Sequence, residues 1–159
     1  LVTERSEQQK IHFFIIEYGA EDKKYKGFDQ DTYLEFGLRF LEDTGVLRDA
    51  TEAVYVLVTK TDQARANMKP GESFEKHIAA YLRQYYPNFL GLLDRCCRQY
   101  ELCGGVMPDP IPFDIGEVCF NNYCHISTQR AKDVVKVMLG KSKGFRKGWQ
   151  GMLEKWFSV

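Results

Sequence analysis

The chain has 159 residues, 44% of them hydrophobic and 28% charged, enough for one domain with a core of its own and wrong for a disordered segment. Lys+Arg and Asp+Glu each number 22, so the net charge is zero, which argues against a general nucleic-acid binder. No apolar run approaches the roughly 18 residues of a membrane span, so a membrane partner is not expected.

Residues 11–17, IHFFIIE, form a short and almost unbroken apolar run, the pattern of a strand buried on both faces. The polar residues 20–31 read as a loop. Asp31 can cap a helix over 32–44 that carries Leu34, Leu38 and Leu41 on one face and stops at Gly45. Residues 53–59, AVYVLVT, form a second continuous apolar run rich in Val, again a buried strand. Lys60 to Gly71 reads as a polar loop. Ser73 can cap a helix carrying Phe74, Ile78, Tyr81, Leu82 and Tyr85 at helical spacing. Pro87 interrupts, and Asn88 can cap the next helix, with Leu90, Leu93, Cys97 and Tyr100, ended by Gly104-Gly105.

Pro108, Pro110 and Pro112 impose an extended approach to a third strand over 113–120, FDIGEVCF, broken at Gly116. Ser127 or Thr128 caps a helix over 129–139, and Gly140 stops it. A last helix carries Phe145, Trp149, Met152, Leu153, Trp156 and Phe157. Strands alternating with helices imply a doubly wound α/β class, a mainly parallel sheet with helices on both faces. Ligand sites in such sheets lie where strands end and lead into helices, here in loops 18–30, 59–72 and 115–127.

One of those loops carries a constellation. The second strand ends in Thr59-Lys60-Thr61-Asp62. A carboxylate just beyond a buried strand can accept two parallel hydrogen bonds from a donor–donor edge, and the N1 and N2 donors of guanine form such an edge. The stem of Lys60 can lie along the flat base, and Thr59 can tie the loop to a neighbouring strand. VYVLVTKTD (residues 54–62) resembles the guanine-specificity motif Asn/Thr-Lys-x-Asp of the P-loop GTPase family (TRAFAC type). The element order resembles that family's C-terminal half, with the strands at 11–17, 53–59 and FDIGEV as its fourth, fifth and sixth. The phrase IPFDIGEVCF also looks like divergent bacterial GTPase-like proteins. The resemblance implies a guanine-binding role for Thr59, Lys60 and Asp62, and a backbone amide at Ile115 or Gly116 facing the guanine oxygen. The family's usual Ser-Ala pair is absent there.

The departures are large. G-x-x-x-x-G-K-[ST] occurs nowhere, and Gly140-Lys141-Ser142 copies only its last three residues, with Val135 in the upstream glycine position. The family's Asp-x-x-Gly loop is also missing, since Glu17 is followed three residues later by Ala20. The chain as given is therefore not expected to hydrolyse GTP. GTP or GDP is the implied cofactor, and magnesium only with a phosphate loop upstream. The strand at 11–17 would present an apolar edge, which upstream residues of a larger GTPase-like protein or self-association would fill. The first residue is Leu1 rather than Met, and an upstream segment is expected on the same grounds.

Other features have plainer readings. The odd set Cys96, Cys97, Cys103, Cys119 and Cys124, together with the polar opening LVTERSEQQK, suits a reducing, cytoplasmic setting rather than a disulfide scaffold. Cys119, Cys124 and His125 lack the paired spacing of a zinc knuckle, and the cysteines are expected to be small buried groups. Glu17, Glu21 and Asp22 can be drawn as an acidic magnesium site, but a solvated charged loop is expected. Tyr85-Tyr86 with Arg95 and Arg98 can be drawn as a base-stacking surface, but core tyrosines and a solvated helix face are expected. His12, His77 and His125 suggest no nucleophile triad. We expect residues 1–140 to form a partial GTPase-like domain and 141–159 a basic, aromatic helix packed on it rather than on a membrane. The chain then acts as the guanine-nucleotide-binding half of a larger protein. The alternative is a degenerate GTPase-like fold that binds a protein partner without catalysis.

Overall fold

The computed structural model describes residues 10–114, 116–119, 123–126 and 129–141. Strand β1 (Lys10–Glu17) pairs in parallel with β2 (Thr51–Thr59), from Ile11↔Ala53 to Glu17↔Thr59, after a register shift between Lys10 and Ile11. β2 pairs in parallel with β3 (Ile111–Pro112) through Leu57↔Ile111 and Val58↔Pro112. The sheet order is therefore β1-β2-β3. Parallel neighbours need long crossovers, and helices supply them.

The first crossover is α1 (Gln30–Asp43) followed by the short α2 (Val46–Ala50), and the second is α3 (Thr61–Ala66), α4 (Phe74–Tyr85) and α5 (Pro87–Gln99), followed by a 3₁₀ turn (Leu102–Gly104). The result is a mixed α/β arrangement around a three-strand parallel sheet. No described helix is long and apolar enough to cross a membrane.

Burial separates the two long strands. Ala53 to Val58 of β2 are all buried, as a central parallel strand covered on both faces requires. β1 is not covered to the same degree: Ile16 is fully buried, but Ile15 is 53% exposed. Among the described strands β1 pairs with β2 alone, so it lies at the sheet edge, and its uncovered positions correct the expectation of burial on both faces. On the face carrying Phe14 and Ile16 the covering elements are α1 and α5. Phe14 meets the ring of Phe89 at 5.0 Å, and a Cβ at Gly37 would lie 3.7 Å from the Phe14 ring. On the other face Phe13 stacks on Tyr55 at 5.6 Å.

Several boundaries differ from the sequence expectation. The N-cap of α1 is Asp29, whose Oδ1 accepts the Thr32 N–H at 2.9 Å, while Asp31 lies inside the first turn. Gly45 follows the helix at φ +73, where a side chain would be strained, consistent with the stop signal. Residues 61–66 are helical rather than loop, because the alanines at 64 and 66 favour helix and Ala64 is fully buried. Ser73 caps α4 through Lys76 N, as its spacing predicts. Asn88 is not a cap: Pro87 occupies the first turn of α5. That helix ends at Gln99, before Gly104 and Gly105, which take positive φ on either side of the 3₁₀ turn's end.

The third parallel strand lies at 111–112, earlier than the FDIGEVCF reading placed it. Residues 116–119 instead form β4 (Gly116–Cys119), which pairs antiparallel with β5 (Tyr123–Ile126) in a separate two-stranded sheet. α6 spans Gln129–Lys141, so Gly140 sits inside the helix and does not stop it. The caps at Ser127 and Thr128, and the basic, aromatic helix beyond residue 141, lie outside the described residues.

Candidate functional site

The carboxyl ends of β1, β2 and β3 converge on the segment Thr59–Asp62. Glu17 and Thr59 are register partners at the ends of β1 and β2. The Thr59 hydroxyl donates to the Ile16 carbonyl at 3.3 Å, and the Tyr18 N–H donates to the Thr59 carbonyl at 3.2 Å, so Thr59 does tie the two strand ends together. The chain then turns at Lys60, which adopts φ 55, ψ 40, a left-handed conformation that a non-glycine residue takes only where tertiary contacts hold it. One such contact is an ion pair from Lys60 Nζ to Glu17 Oε1, 2.5 Å away. Lys23 Nζ reaches the same oxygen at 2.7 Å. These two ammonium groups, Lys23 first, hold the Glu17 carboxyl below the ordinary carboxylate range.

Thr61 is fully buried, and its hydroxyl donates to Asp114 Oδ2 at 2.8 Å, where Arg65 Nη1 also arrives at 3.2 Å. With the Phe113 N–H on the Val58 carbonyl at 2.7 Å, these bonds fasten the loop after β3 against the Thr59–Asp62 segment. Asp62 lies in the first turn of α3 with its carboxylate exposed, and it makes no hydrogen bond or ion pair among the described residues. The backbone of Gly116 enters the β4–β5 hairpin opposite Ile126, two residues beyond Asp114. Thr59, Lys60 and Asp62 are thus brought together at one strand end. Among the described residues after β3, Asp114 bonds this segment through Thr61 and Phe113 bonds the strand just before it through Val58, while Ile115 lies outside the described residues.

Sequence reasoning missed two parts of this region. Asp114 is joined to Thr61 across 53 positions and to Arg65 across 49, and no local pattern marks it. The second part is a chain of hydrogen bonds. Glu72 Oε2 accepts from Lys69 N and pairs with His77 Nδ1 at 3.1 Å, and His77 Nε2 meets the Tyr18 hydroxyl at 3.0 Å. In a neutral ring whose Nδ1 proton faces Glu72, Nε2 accepts from the Tyr18 hydroxyl. The Lys69 amide is the leading cause that holds Glu72 below the usual carboxylate range. Beside it, Tyr81 donates to Glu21 Oε2 at 2.6 Å and accepts from the Gly19 amide at 2.9 Å. Burial first, then the Glu21 bond, pushes the Tyr81 phenol far up, so it stays protonated.

Glu17 and Glu21 are therefore committed to different partners and do not form a joint acidic site. Among the described residues no three His, Cys, Asp or Glu side chains come together to hold a metal ion. The side chains of Cys119, Cys124 and His125 lie outside that description. Tyr86 is fully buried with its hydroxyl on Gln30, while Arg95 pairs with Glu42 and Arg98 with Asp94. No family model, curated protein or solved structure matches the chain.

Proposed function

We propose that this chain is a guanine-nucleotide-binding module, the base-reading half of a larger GTPase-like protein with a doubly wound sheet. The observation that supports it is Asp62. Its carboxylate stands exposed and without a partner among the described residues, directly after the central strand, while its neighbours Thr59, Lys60 and Thr61 are each tied down. A loop held on three sides with one free carboxylate is preorganised for a donor–donor edge, so little ordering cost remains at binding. Asp62 accepts from N1 and N2 of guanine, Lys60 lays its stem beside the base, and Thr59 keeps the two strand ends in register. Gly116 stays a candidate amide donor from the third loop.

Hydrolysis and magnesium are not assigned to this chain, which lacks a phosphate loop. A cytoplasmic location is part of the same reading. The test is titration of the protein with GDP, GTP and ADP, followed by calorimetry. Guanine nucleotides are expected to bind and ADP to fail, and Asp62→Ala is expected to abolish the preference. Equal affinity for GDP and ADP, or a preference that survives Asp62→Ala, overturns the proposal. Reading the coding sequence upstream of Leu1 for a strand followed by G-x-x-x-x-G-K-[ST] tests the larger-protein part.

A second reading has its own observation. Phe36 and Phe40 on α1 are 49% and 57% exposed one helical turn apart, and Ile15 on the edge strand is 53% exposed. Such aromatic surface favours a protein partner and a degenerate, non-enzymatic fold. Absence of any nucleotide binding would favour it.

A further inference from the structure

A cleft of about 430 Å³ opens at the carboxyl end of β1, between the loop that follows it and the start of α1. One wall is aromatic. Tyr25 and Phe28 are 64% and 47% exposed, and both rings lean on Tyr33, at 5.7 and 6.0 Å. Lys23, Lys24 and Glu17 also line the cleft. Glu17 ties this cleft to the Thr59–Asp62 segment, because the single oxygen Oε1 holds both Lys23 and Lys60. The two carboxylates on the lining are already engaged: Glu17 by those lysines, and Asp29 by the Thr32 amide that it caps. Glu21, which is not on the lining, accepts from the Tyr81 hydroxyl.

This juxtaposition has a chemical use. A ligand whose base is read at Asp62 lies over the end of β2, and the cleft begins at the end of β1, the neighbouring strand about 4.8 Å away. A nucleoside di- or triphosphate is long enough to cross from one to the other. Lysine ammonium groups bind phosphate as point charges and need no fork geometry. An aromatic wall lowers the local dielectric and strengthens each charge contact. Until phosphate arrives, Glu17 offsets part of the charge of Lys23 and Lys60.

We propose that the loop lysines Lys23 and Lys24 hold the phosphate groups of the guanine nucleotide, with Glu17 as the counter-ion that the phosphates displace. The proposal rests on the guanine reading above and supplies a phosphate grip from a different loop than the one the sequence lacks.

The experiment compares guanosine, GDP, GTP and ADP by titration with the full chain, wild type against the double variant Lys23→Ala/Lys24→Ala and against Glu17→Gln, with thermal melts to confirm folding. GDP is expected to bind at least about tenfold more tightly than guanosine, and the double variant to lose most of that advantage. Glu17→Gln is expected to tighten GDP binding, because it releases both lysines. Added salt is expected to weaken GDP more than guanosine. If guanosine binds as well as GDP, or if the double variant leaves GDP affinity unchanged, the phosphate proposal is overturned and the guanine reading stands. If ADP binds like GDP and both weaken in the double variant, the phosphate cleft stands and the guanine reading falls. If neither guanosine nor any nucleotide binds, both fall.

Discussion

Asp31, on α1, caps α5: its Oδ1 accepts the Phe89 N–H at 2.9 Å, and its Oδ2 accepts the Asn88 N–H at 3.2 Å and the Asn88 side-chain amide at 2.9 Å. The first amides of a helix have no partner within it, and Tyr86 offers no side-chain cap here. A carboxylate at a helix N-terminus also meets the favourable end of the helix dipole. Asp31→Ala leaves the buried Phe89 amide unpaired and is expected to cost about 1–3 kcal/mol in urea unfolding. Asp31→Asn keeps one acceptor oxygen and should cost less. An Ala variant as stable as wild type would show that water replaces the cap.

Phe89 itself is fully buried and packs on Phe14, at the junction of α5 and the sheet. Phe89→Ala is expected to cost about 3–5 kcal/mol, the usual range for deleting a buried aromatic ring. Phe36→Ala, at a position 49% exposed, should stay within about 0.5 kcal/mol of wild type. Denaturant midpoints of the two variants measure the contrast directly.

The buried Thr61 hydroxyl and the Arg65 guanidinium share Asp114 Oδ2. Thr61→Val keeps the shape and removes the donor, with an expected loss of about 1 kcal/mol. Groups on one acceptor do not act independently, so Thr61→Val and Arg65→Ala should couple by about 0.5 kcal/mol or more in a double-mutant cycle. Strict additivity would mean that the loop after β3 is held by other contacts.

Acid stability should report on Glu17. Its carboxyl lies below its ordinary value of 4.5 in the folded chain, through Lys23 and then Lys60. A depressed carboxyl contributes stability that is fully present above the ordinary value and is lost as pH falls through the folded value. Stability should therefore decline below about pH 4.5, and Glu17→Gln should flatten part of that decline. Unfolding followed across this range would show an unchanged slope in the variant if the ion pairs carry no weight.

Cysteine chemistry separates neighbours in sequence. Cys96 and Cys97 are fully buried, and burial pushes the Cys97 thiol up to about 12 and that of Cys96 upward as well. Cys103 is only partly buried and lies 3.5 Å from the Val54 carbonyl. Mild alkylation of the native protein with peptide mapping should label Cys103 well before Cys96 or Cys97, since thiolate and access both govern the rate. Equal labelling of the three would contradict this packing.

The apolar runs at 11–17 and 53–59 and the helical spacing of 73–85 were legible because hydrophobic periodicity is a local property of the chain. The Ser73 cap and the Gly45 stop were legible for the same reason: each acts within four residues. The placement of Thr59, Lys60 and Asp62 at a strand end followed directly from the run that precedes them.

What the chain could not show by itself is which distant group completes each local choice. Asp31 has the right chemistry for a cap, but only the packing of α1 on α5 decides which helix receives it. The third parallel strand lies at 111–112, ahead of the expected 113–120, and 116–119 pair in a separate hairpin, because strand pairing depends on a partner's edge rather than on apolar content. The α/β alternation, the apolar run at 53–59 and the motif at its end are local features, readable from the chain alone. The tertiary structure alone decided that Glu17 joins Lys23 to Lys60 and that Tyr18 meets His77. Charge pairs and hydrogen bonds form between residues that folding brings within about 3 Å, a distance that sequence separation does not encode.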